Sequence, residues 1–342
     1  MTKPLASLSL DLDNKWSYLK VRGDQRWQDL PSYFDTVVPR ILSALDLVGV
    51  KATVFVVGQD AKLEKNRQPL QSIAAAGHEI ANHSFHHEPW LHLYSEQQIA
   101  EELELAEDAI REVTGAETRG FRGPGFSISD QVLRELASRG YRYDATSFPT
   151  FLGPLARLFY FFRTRLNRRQ REDRKELFGR FRDGFQTLRP HVWRSSDAHL
   201  LTRIPVTTMP VLRFPIHASY LMYLREFSPG LAMAYFRTAL MLCRRLKIEP
   251  SFLLHPLEFL GSDDDQDLQF FPGMKSSSDV KLAFVSALLE LYTNQFAVVT
   301  MEEHAAASSG NPIQQMDESS LPELAQLDER EPALSAAGRE SR

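Results

Sequence analysis

Two histidines four positions apart, His83 and His87 in the fragment HSFHH, are the side chains of this 342-residue chain best suited to bind a metal. Four residues correspond to about one helical turn, so a helical turn would place both imidazoles on the same side of the backbone. An isolated pair with this spacing is also typical of surface histidines. Its interpretation as a ligand pair therefore depends on other chemically active residues of the chain.

Two acidic residues follow the apolar run at the N-terminus. Residues 5–10 are predicted to form a buried strand that ends in Asp11 and Asp13. Because side chains alternate along a strand, both carboxylates would lie on one face. One of them could bind a cation while the other transfers a proton. The simpler alternative is a turn that closes the strand into a loop over residues 14–28.

Two further polar residues follow segments that are predicted as strands. They are Arg122 in GFRGPGF and His255 in FLLHPLEF. In α/β proteins the loops beyond the carboxyl ends of parallel strands converge on one face, where functional sites assemble. The sequence therefore predicts one site built from four strand ends.

In these residues the sequence resembles the polysaccharide deacetylase family, also called the NodB-homology or carbohydrate esterase family 4 domain. The resemblance extends over about residues 5–303. It rests on five motifs, which are the acidic pair in LSLDLD, the HSxxH element, the turn Arg122-x-Pro124-Gly125, Asp144 in YRYDATSFP, and the Leu-x-His element at residues 253–255. The acidic residues are separated by one position here, whereas the family more commonly has two adjacent aspartates.

The resemblance implies the ligands and the acid–base pair. Asp13, His83 and His87 would bind one divalent metal, usually zinc. Asp11 would be the general base and His255 the general acid. The split acidic motif leaves open which of the two carboxylates holds the metal, and we assign the first to the base.

The remaining implied residues surround this centre. Arg122 would pair with the base and hold it ionised, and Asp144 would lie near the acid or line the substrate groove. The turn that contains Pro124 would direct backbone N–H groups near Gly125 and Phe126 towards the site, where they could stabilise an oxyanion.

This set of donors is sufficient for acyl cleavage. A carboxylate oxygen and two imidazole nitrogens leave an open position on zinc, where the pKa of a bound water falls from about 15.7 to about 7. The base can take a proton as water attacks an amide or ester carbonyl, and the acid can protonate the leaving amine. A serine or cysteine nucleophile is not supported, because the sequence has no GxSxG and its one cysteine, Cys243, lies in an apolar helical stretch that favours a structural role.

Composition limits the class of protein. With 43% hydrophobic and 25% charged residues the chain can bury a large core, and a net charge of −4 gives no overall attraction to nucleic acid. A single cysteine excludes an internal disulfide framework. No apolar run approaches the roughly 20 residues that span a bilayer, and the N-terminus leads into the first strand without a signal peptide. We therefore expect a cytoplasmic location.

Alternating strand and helix patterns predict a parallel sheet, and the resemblance implies a distorted (β/α)7 barrel. Strands are predicted at residues 5–10, 52–58, 78–82, 204–209, 251–254 and 296–301. Helices are predicted at residues 33–48, 69–76, 228–247 and 279–292, after the capping box of Ser95 and Gln98, and after Ser129. The barrel would occupy residues 1–304, and residues 305–342, rich in Ser, Pro, Glu and Ala, are predicted to be a disordered tail.

Residues 154–194 stand apart from the barrel pattern. They contain twelve Lys or Arg against four Asp or Glu, and the first part has apolar residues at helical spacing. Such a segment is typical either of a helix lying in a membrane interface or of a helical excursion with a solvated basic face. Nucleic acid is not expected as a partner, because no recognised binding motif accompanies the charge.

The function predicted from these features is metal-dependent removal of an acyl group, expected to be N-acetyl, from a sugar. The substrate would be an acylated sugar or a lipid-linked glycan precursor at the inner face of the membrane. His217, in PVLRFPIHASYLMYL, would contact that substrate or be a satisfied core histidine. The alternatives are a hydrolase of a small amide or cyclic, ureide-like imide, and a non-catalytic carbohydrate-binding module. The sequence does not define the oligomeric state.

Overall fold

A computed structural model describes residues 2–153, 181–195 and 199–309 of the chain. Nine strands of this part form one sheet in the order β6-β7-β5-β4-β3-β2-β1-β8, and β9 pairs with the first half of β1. All neighbouring strands are parallel except β6 and β7. The strands are β1 Leu5–Asp11, β2 Thr53–Val56, β3 Glu79–Asn82, β4 Gly120–Phe121, β5 Tyr143–Asp144, β6 His191–Arg194, β7 Leu200–Arg203, β8 Ser251–Leu254 and β9 Ala297–Val299.

Helices alternate with the strands along the chain. Short 3₁₀ helices add single turns, among them Pro124–Phe126 and Pro256–Phe259. Numbered along the described residues, the α-helices are α1 Lys15–Arg22, α2 Phe34–Leu47, α3 Gly58–Ala61, α4 Glu64–Ala75, α5 Glu96–Thr114, α6 Asp130–Ser138, α7 Ala218–Phe227, α8 Pro229–Arg245, α9 Ser278–Gln295 and α10 Met301–Ser308.

The sheet curls into a half-barrel. Strands β1 and β4 are separated by β2 and β3, so their ends would be roughly 14 Å apart in a flat sheet. Nevertheless the guanidinium of Arg122, just beyond β4, lies 2.6 Å from the carboxylate of Asp11 at the end of β1. In the described residues β6 and β8 remain at the two edges of the sheet, so the barrel is open.

Alternation along β1 separates the core from the concave face. Ala6, Leu8 and Leu10 are fully buried in the main hydrophobic cluster. Ser7 and Ser9 point the other way, and Ser9 Oγ accepts a hydrogen bond from Arg122 Nη1. The face of β1 that carries these two serines is therefore polar, and it leads to Asp11 at the carboxyl end of the strand.

Several predicted elements differ from the structure. The strand predicted at residues 204–209 is wrong, because β7 ends at Arg203 and Pro205 has no N–H to donate to a neighbouring strand. The predicted loop over residues 14–28 contains helix α1, and the helix predicted to begin at Pro69 begins at Glu64. The predicted disordered tail begins too early, because α10 runs through residues 305–308. Residues 154–180 and 310–342 lie outside the described residues.

Candidate active site

Three side chains meet at the carboxyl ends of β1 and β3. Asp13 Oδ1 lies 2.9 Å from His87 Nε2 and 3.5 Å from His83 Nε2. One ligand-type atom from each of the three residues lies within 4.8 Å of the others. We call these residues the candidate metal centre. The structure thus brings together the three residues that the resemblance implied as metal ligands.

The residues of this centre fit a bound cation. Asp13 Oδ1 is buried, yet it has no hydrogen-bond partner of good geometry among the described residues. His83 Nδ1 lies 2.7 Å from the backbone carbonyl of Arg122, so it donates there and leaves Nε2 free to face the centre. One hard oxygen and two imidazole nitrogens form a donor set that zinc commonly takes.

The charges within the centre reinforce one another. Burial would raise the pKa of Asp13, but His87 and His83 together lower it well below its usual value. Burial would lower the pKa of His83, whereas Asp11 and Asp13 raise it above its usual value. The Asp13 carboxylate and the His83 imidazole therefore favour each other's charged forms.

The loop that carries the two histidines is not the helical turn that their spacing predicted. Ser84 and His87 both adopt left-handed backbone conformations, with φ of 62° and 53°. Glu102 of α5 stabilises this bend, because its Oε1 accepts the N–H groups of Phe85 and His86 at 3.0 and 2.6 Å. The rings converge because of this sharp bend after β3.

A buried ion pair lies beside the metal centre. Arg122 is fully buried, and its Nη1 donates to Asp11 Oδ1 at 2.6 Å. Its Nε donates to the carbonyl of Ala145 at 2.9 Å, and its guanidinium lies 4.3 Å from the ring centre of Phe55. The structure therefore places the predicted arginine against the predicted base and fixes one of the two carboxylate oxygens.

The predicted acid lies on the other side of this carboxylate. His255 Nε2 is 4.0 Å from Asp11 Oδ2, the oxygen that Arg122 does not contact at hydrogen-bond distance. His255 Nδ1 is 3.1 Å from Ser219 Oγ, which donates to Glu258 Oε1 at 2.6 Å. Glu258 also accepts the backbone N–H of His255. The ring is thus held at Nδ1 and presents Nε2 to the site.

Ser219 and Glu258 were not found by sequence reasoning. Glu258 gives a local signal, since it lies three residues after His255 and closes a capping box with it. Ser219 belongs to α7, thirty-six positions from His255, and no local pattern connects the two. Burial raises the pKa of Glu258 despite the opposing charge of His255.

Asp144 has a different role from either of the two expected. Its side chain is fully buried. Its Oδ1 accepts hydrogen bonds from the backbone N–H and the hydroxyl of Thr146, and its Oδ2 lies 3.1 Å from Arg203 Nε. Thr146 Oγ1 in turn accepts the N–H of Gly123 at 2.8 Å. Among its described contacts none involves His255, so Asp144 supports the turn after β4 from beneath.

That turn is the 3₁₀ helix that begins at Pro124. Gly125 and Phe126 both have left-handed backbones, with φ of 59° and 62°. The N–H of Phe126 donates to the carbonyl of Gly123 at 3.1 Å, so it is already used within the turn. The expected oxyanion donation from Phe126 therefore does not fit this geometry, and Gly125 remains the candidate donor. The Phe126 ring instead stacks on Phe148 with a centroid distance of 4.5 Å.

His217 borders the site at the start of α7. Its ring centroid lies 6.2 Å from that of His255 and 5.7 Å from that of Phe148. Burial, followed by the neighbouring His255, lowers the pKa of His217 to about 3, so the ring is neutral at physiological pH. Its Nδ1 is buried without a hydrogen-bond partner in the described part of the chain. His217 is therefore neither a core histidine whose hydrogen bonds are all made nor an exposed histidine.

The curled α/β sheet and the Asp-His-His cluster at the carboxyl ends of its strands agree with the fold and the three residues that the resemblance implied. Residues 25–143 match the family model for polysaccharide deacetylase. Over these residues the comparison confirms the resemblance to the polysaccharide deacetylase family that was noted in the sequence.

Two curated relatives show the extent of the likeness. The peptidoglycan-N-acetylmuramic acid deacetylase PdaA of Bacillus subtilis is 32% identical over 111 residues, which cover 32% of this chain and 41% of the relative. The peptidoglycan-N-acetylglucosamine deacetylase of Bacillus cereus is 30% identical over 110 residues, which cover 31% of this chain and 48% of the relative. The chain thus matches less than half the length of these two relatives.

The fold has a solved counterpart. A crystal structure of a Mycobacterium smegmatis protein assigned to the polysaccharide deacetylases aligns over 93% of this chain and 99% of its own, with a TM-score of 0.58 and 20% sequence identity. This likeness confirms the predicted α/β fold class, and the expected distorted barrel is a curled, open half-barrel in the described residues. Across residues 2–153, 181–195 and 199–309, no helix combines the length and apolarity needed to cross a bilayer.

Proposed function

We propose that the chain is a metal-dependent hydrolase that removes the N-acetyl group of an acetylated sugar. The observation that carries this proposal is the convergence of Asp13, His83 and His87 within 4.8 Å, beside a buried carboxylate and an oriented imidazole. The names of the curated relatives, which describe deacetylases of peptidoglycan sugars, support this class of substrate.

Asp13, His83 and His87 would hold the cation, and their donor atoms favour zinc. The chemistry supplied by a divalent cation, when bound there, would be polarisation of the acyl carbonyl and a lower pKa for water. The three side chains also fix where the acyl carbonyl must lie. Holding reacting groups in one geometry contributes to the rate independently of the cation.

Asp11 is the base in this proposal. Arg122 occupies Oδ1 and balances the negative charge, while Oδ2 remains directed towards the site and His255. Oδ2 can therefore accept the proton of the attacking water. A positioned base of this kind contributes about 10²- to 10⁴-fold to the rate.

His255 is the acid. Since Ser219 Oγ, which itself donates to Glu258, engages Nδ1, the protonated ring directs its Nε2–H towards the leaving amine. The proton passes from Nε2 to the amine nitrogen as the carbon–nitrogen bond breaks, and the acetate product leaves with the attacking oxygen. His217, with its neutral ring 6.2 Å away, would contact the bound sugar.

Removing the hydroxyl of Ser219 tests how the acid is positioned. Ser219→Ala is expected to lower kcat by about tenfold with KM unchanged, because one lost hydrogen bond of roughly 1.4 kcal/mol misorients His255 without touching substrate. Ser219→Thr should restore most of the rate. Steady-state kinetics on an acetylated oligosaccharide measures both values.

Ser251→Ala is the matched control for this prediction. Ser251 is also buried, at the start of β8, and its Oγ has no hydrogen-bond partner in the described residues. Its replacement should leave kcat and KM unchanged. A Ser219→Ala variant with wild-type kcat would show that Ser219 does not orient the acid.

The test of the function is metal analysis combined with acetate release. Purified full-length protein should contain bound divalent metal and release acetate from N-acetylated saccharides. Removal of the metal with a chelator should stop acetate release, and zinc should restore it. Protein that binds no metal and hydrolyses no acetylated sugar would overturn the proposal, and preferential hydrolysis of a cyclic imide would replace it with the small-amide function.

The finer proposal is that the sugar is lipid-linked and is met at a membrane surface. The charge of residues 154–194 supports this, with twelve basic and four acidic residues. Exposed apolar side chains lie in the loop before His217 and on α7, namely Val211, Leu212, Phe214, Tyr223 and Phe227. We expect the protein to release acetate faster from a lipid-linked saccharide than from the free saccharide. We also expect it to co-sediment with anionic vesicles. Equal rates and no sedimentation would contradict it.

A further inference from the structure

A cluster of buried polar side chains lies beside the candidate metal centre and takes no part in the proposed reaction. Asp60 of α3 is at its middle, and Asp60, Asn14, Trp16 and Asn66 are all fully buried. Asp60 Oδ1 accepts three hydrogen bonds, from Asn14 Nδ2 at 2.7 Å, Trp16 Nε1 at 2.9 Å and Asn66 Nδ2 at 3.0 Å. One carboxylate oxygen therefore joins all three donors, and Ser32 Oγ adds a second link between Asn14 and Asn66.

Asn14 connects Asp60 to the first ligand. It directly follows Asp13, and its Oδ1 accepts the N–H groups of Lys15 at 2.8 Å and Tyr33 at 3.2 Å. The hydroxyl of Tyr33 donates to the carbonyl of Asp13. The Asn14 amide and its partner Tyr33 thus help to fix the backbone on the carboxyl side of Asp13.

Trp16 connects Asp60 to a second ligand. Its ring meets the imidazole of His87 edge-on, with a centroid distance of 6.2 Å and an interplanar angle of 84°. Because the indole N–H is bound to Asp60, the ring cannot rotate away from His87 without breaking that bond. Two of the three candidate ligands are therefore positioned through residues that Asp60 holds.

The arrangement is costly for stability alone. Asp60 Oδ2 is buried and has no hydrogen-bond partner among the described residues, and Asp60 is in no ion pair there with a basic side chain. Burial raises the pKa of Asp60 to about 7, which reflects the penalty of charging it in this environment. An apolar side chain would avoid that penalty but could not accept the three donors.

We propose that Asp60 is a positioning residue for the candidate metal centre, which it preorganises by holding Asn14 and Trp16 on a single oxygen. This inference rests on the proposed function, because it assumes that Asp13, His83 and His87 bind a cation. Residues that orient metal ligands from outside typically change metal affinity by about 10- to 100-fold when they are replaced.

The test compares two variants of the metal-stripped full-length chain by zinc titration against a fluorescent chelator. Asp60→Asn keeps an oxygen that can accept the three hydrogen bonds. Its NH₂ group takes the place of Oδ2, which has no partner in the described residues, so the Kd for zinc should be unchanged. Asp60→Leu has similar volume but accepts nothing, so its Kd should rise by about 10- to 100-fold. Rescue by asparagine separates positioning from a requirement for charge.

Glu79 provides the matched control. It is a largely buried carboxylate at the amino end of β3 that accepts from Thr53 at 2.5 Å, Tyr143 at 2.5 Å and the N–H of Glu302 at 3.0 Å. Glu79→Leu should lower the thermal stability comparably yet leave the Kd for zinc unchanged. An equal loss of zinc affinity in Glu79→Leu would mean that the effect of Asp60→Leu is general destabilisation, and would overturn the inference.

A second variant keeps the test decisive if Asp60→Leu does not fold. Trp16→Phe retains a ring beside His87 but removes the donor to Asp60, and it should raise the Kd in the same direction. Wild-type protein that binds no zinc would overturn the proposed function itself. The other outcome concerns the role of Asp60 alone. If wild-type protein binds zinc, and Trp16→Phe and any folded Asp60→Leu bind it equally well, the role of Asp60 is overturned while the proposed function stands.

Discussion

The His87→Ala variant is expected to lose its bound metal and nearly all deacetylase activity together. His87 Nε2 lies 2.9 Å from Asp13 Oδ1, so its removal leaves a site of two ligands. The charge stabilisation that a cation supplies is worth several kcal/mol, and each 1.36 kcal/mol corresponds to tenfold, so the rate should fall by at least about 10³-fold. Elemental analysis and acetate release on the same preparation measure both losses.

His86→Ala is the matched control, because it removes a histidine from the same bend. His86 Nδ1 lies 2.8 Å from Glu102 Oε2, and His86 is not part of the candidate metal centre. The backbone bonds from Glu102 that shape the bend remain in this variant, so metal content and most of the activity should persist. If His87→Ala retained its metal, or if His86→Ala lost as much, the assignment of His87 as a ligand would be wrong.

Asp11→Asn is expected to retain the metal while turnover falls by about 10²- to 10⁴-fold. The amide oxygen can still accept from Arg122, but it cannot take a proton from the attacking water. The variant also leaves the fully buried guanidinium of Arg122 without a counter-charge, which should lower the free energy of unfolding by about 3 kcal/mol. Metal content, thermal unfolding and kcat together distinguish lost catalysis from lost structure.

Asp13→Asn is the complementary variant, because it replaces the other carboxylate of the same motif. It should lose metal as well as activity, since Asp13 and not Asp11 lies within the group of ligand-type atoms. The opposite pattern, with metal lost from Asp11→Asn and kept by Asp13→Asn, would reverse the roles of the two residues. Near-normal turnover of Asp11→Asn would exclude it as the base.

Much of the site could be located from the sequence because its residues interrupt local apolar patterns. A short run of buried residues precedes each of Asp11, Arg122 and His255. A polar residue at the end of such a run marks the carboxyl end of a strand. Parallel strands place these ends at one edge of the sheet, so proximity followed from topology. The curl of the sheet, which brings Arg122 and Asp11 to 2.6 Å across two strands, was not contained in any local pattern.

The supporting residues could not be predicted in the same way. Glu102 shapes the histidine bend from the helix α5, and Asp60 holds Trp16 from forty-four positions away. Asp144 followed a strand as expected, but Arg203 and Thr146 determine what it does. A polar residue in a helix or at a strand end looks the same in sequence whether it faces solvent or a buried donor.

The sequence by itself determined which side chains stand at the strand ends, because hydrophobic periodicity reports the burial of each segment and where that burial stops. The resemblance carried by these residues, and not the periodicity, implied which of them would bind a metal and which would act as base and acid. Only the tertiary structure decided how these groups are oriented, through Ser219 and Glu258 on the acid and through Asp60 beside the ligands. The physical reason is that a buried hydrogen bond depends on which distant segment arrives opposite a donor, and local patterning carries no information about that partner.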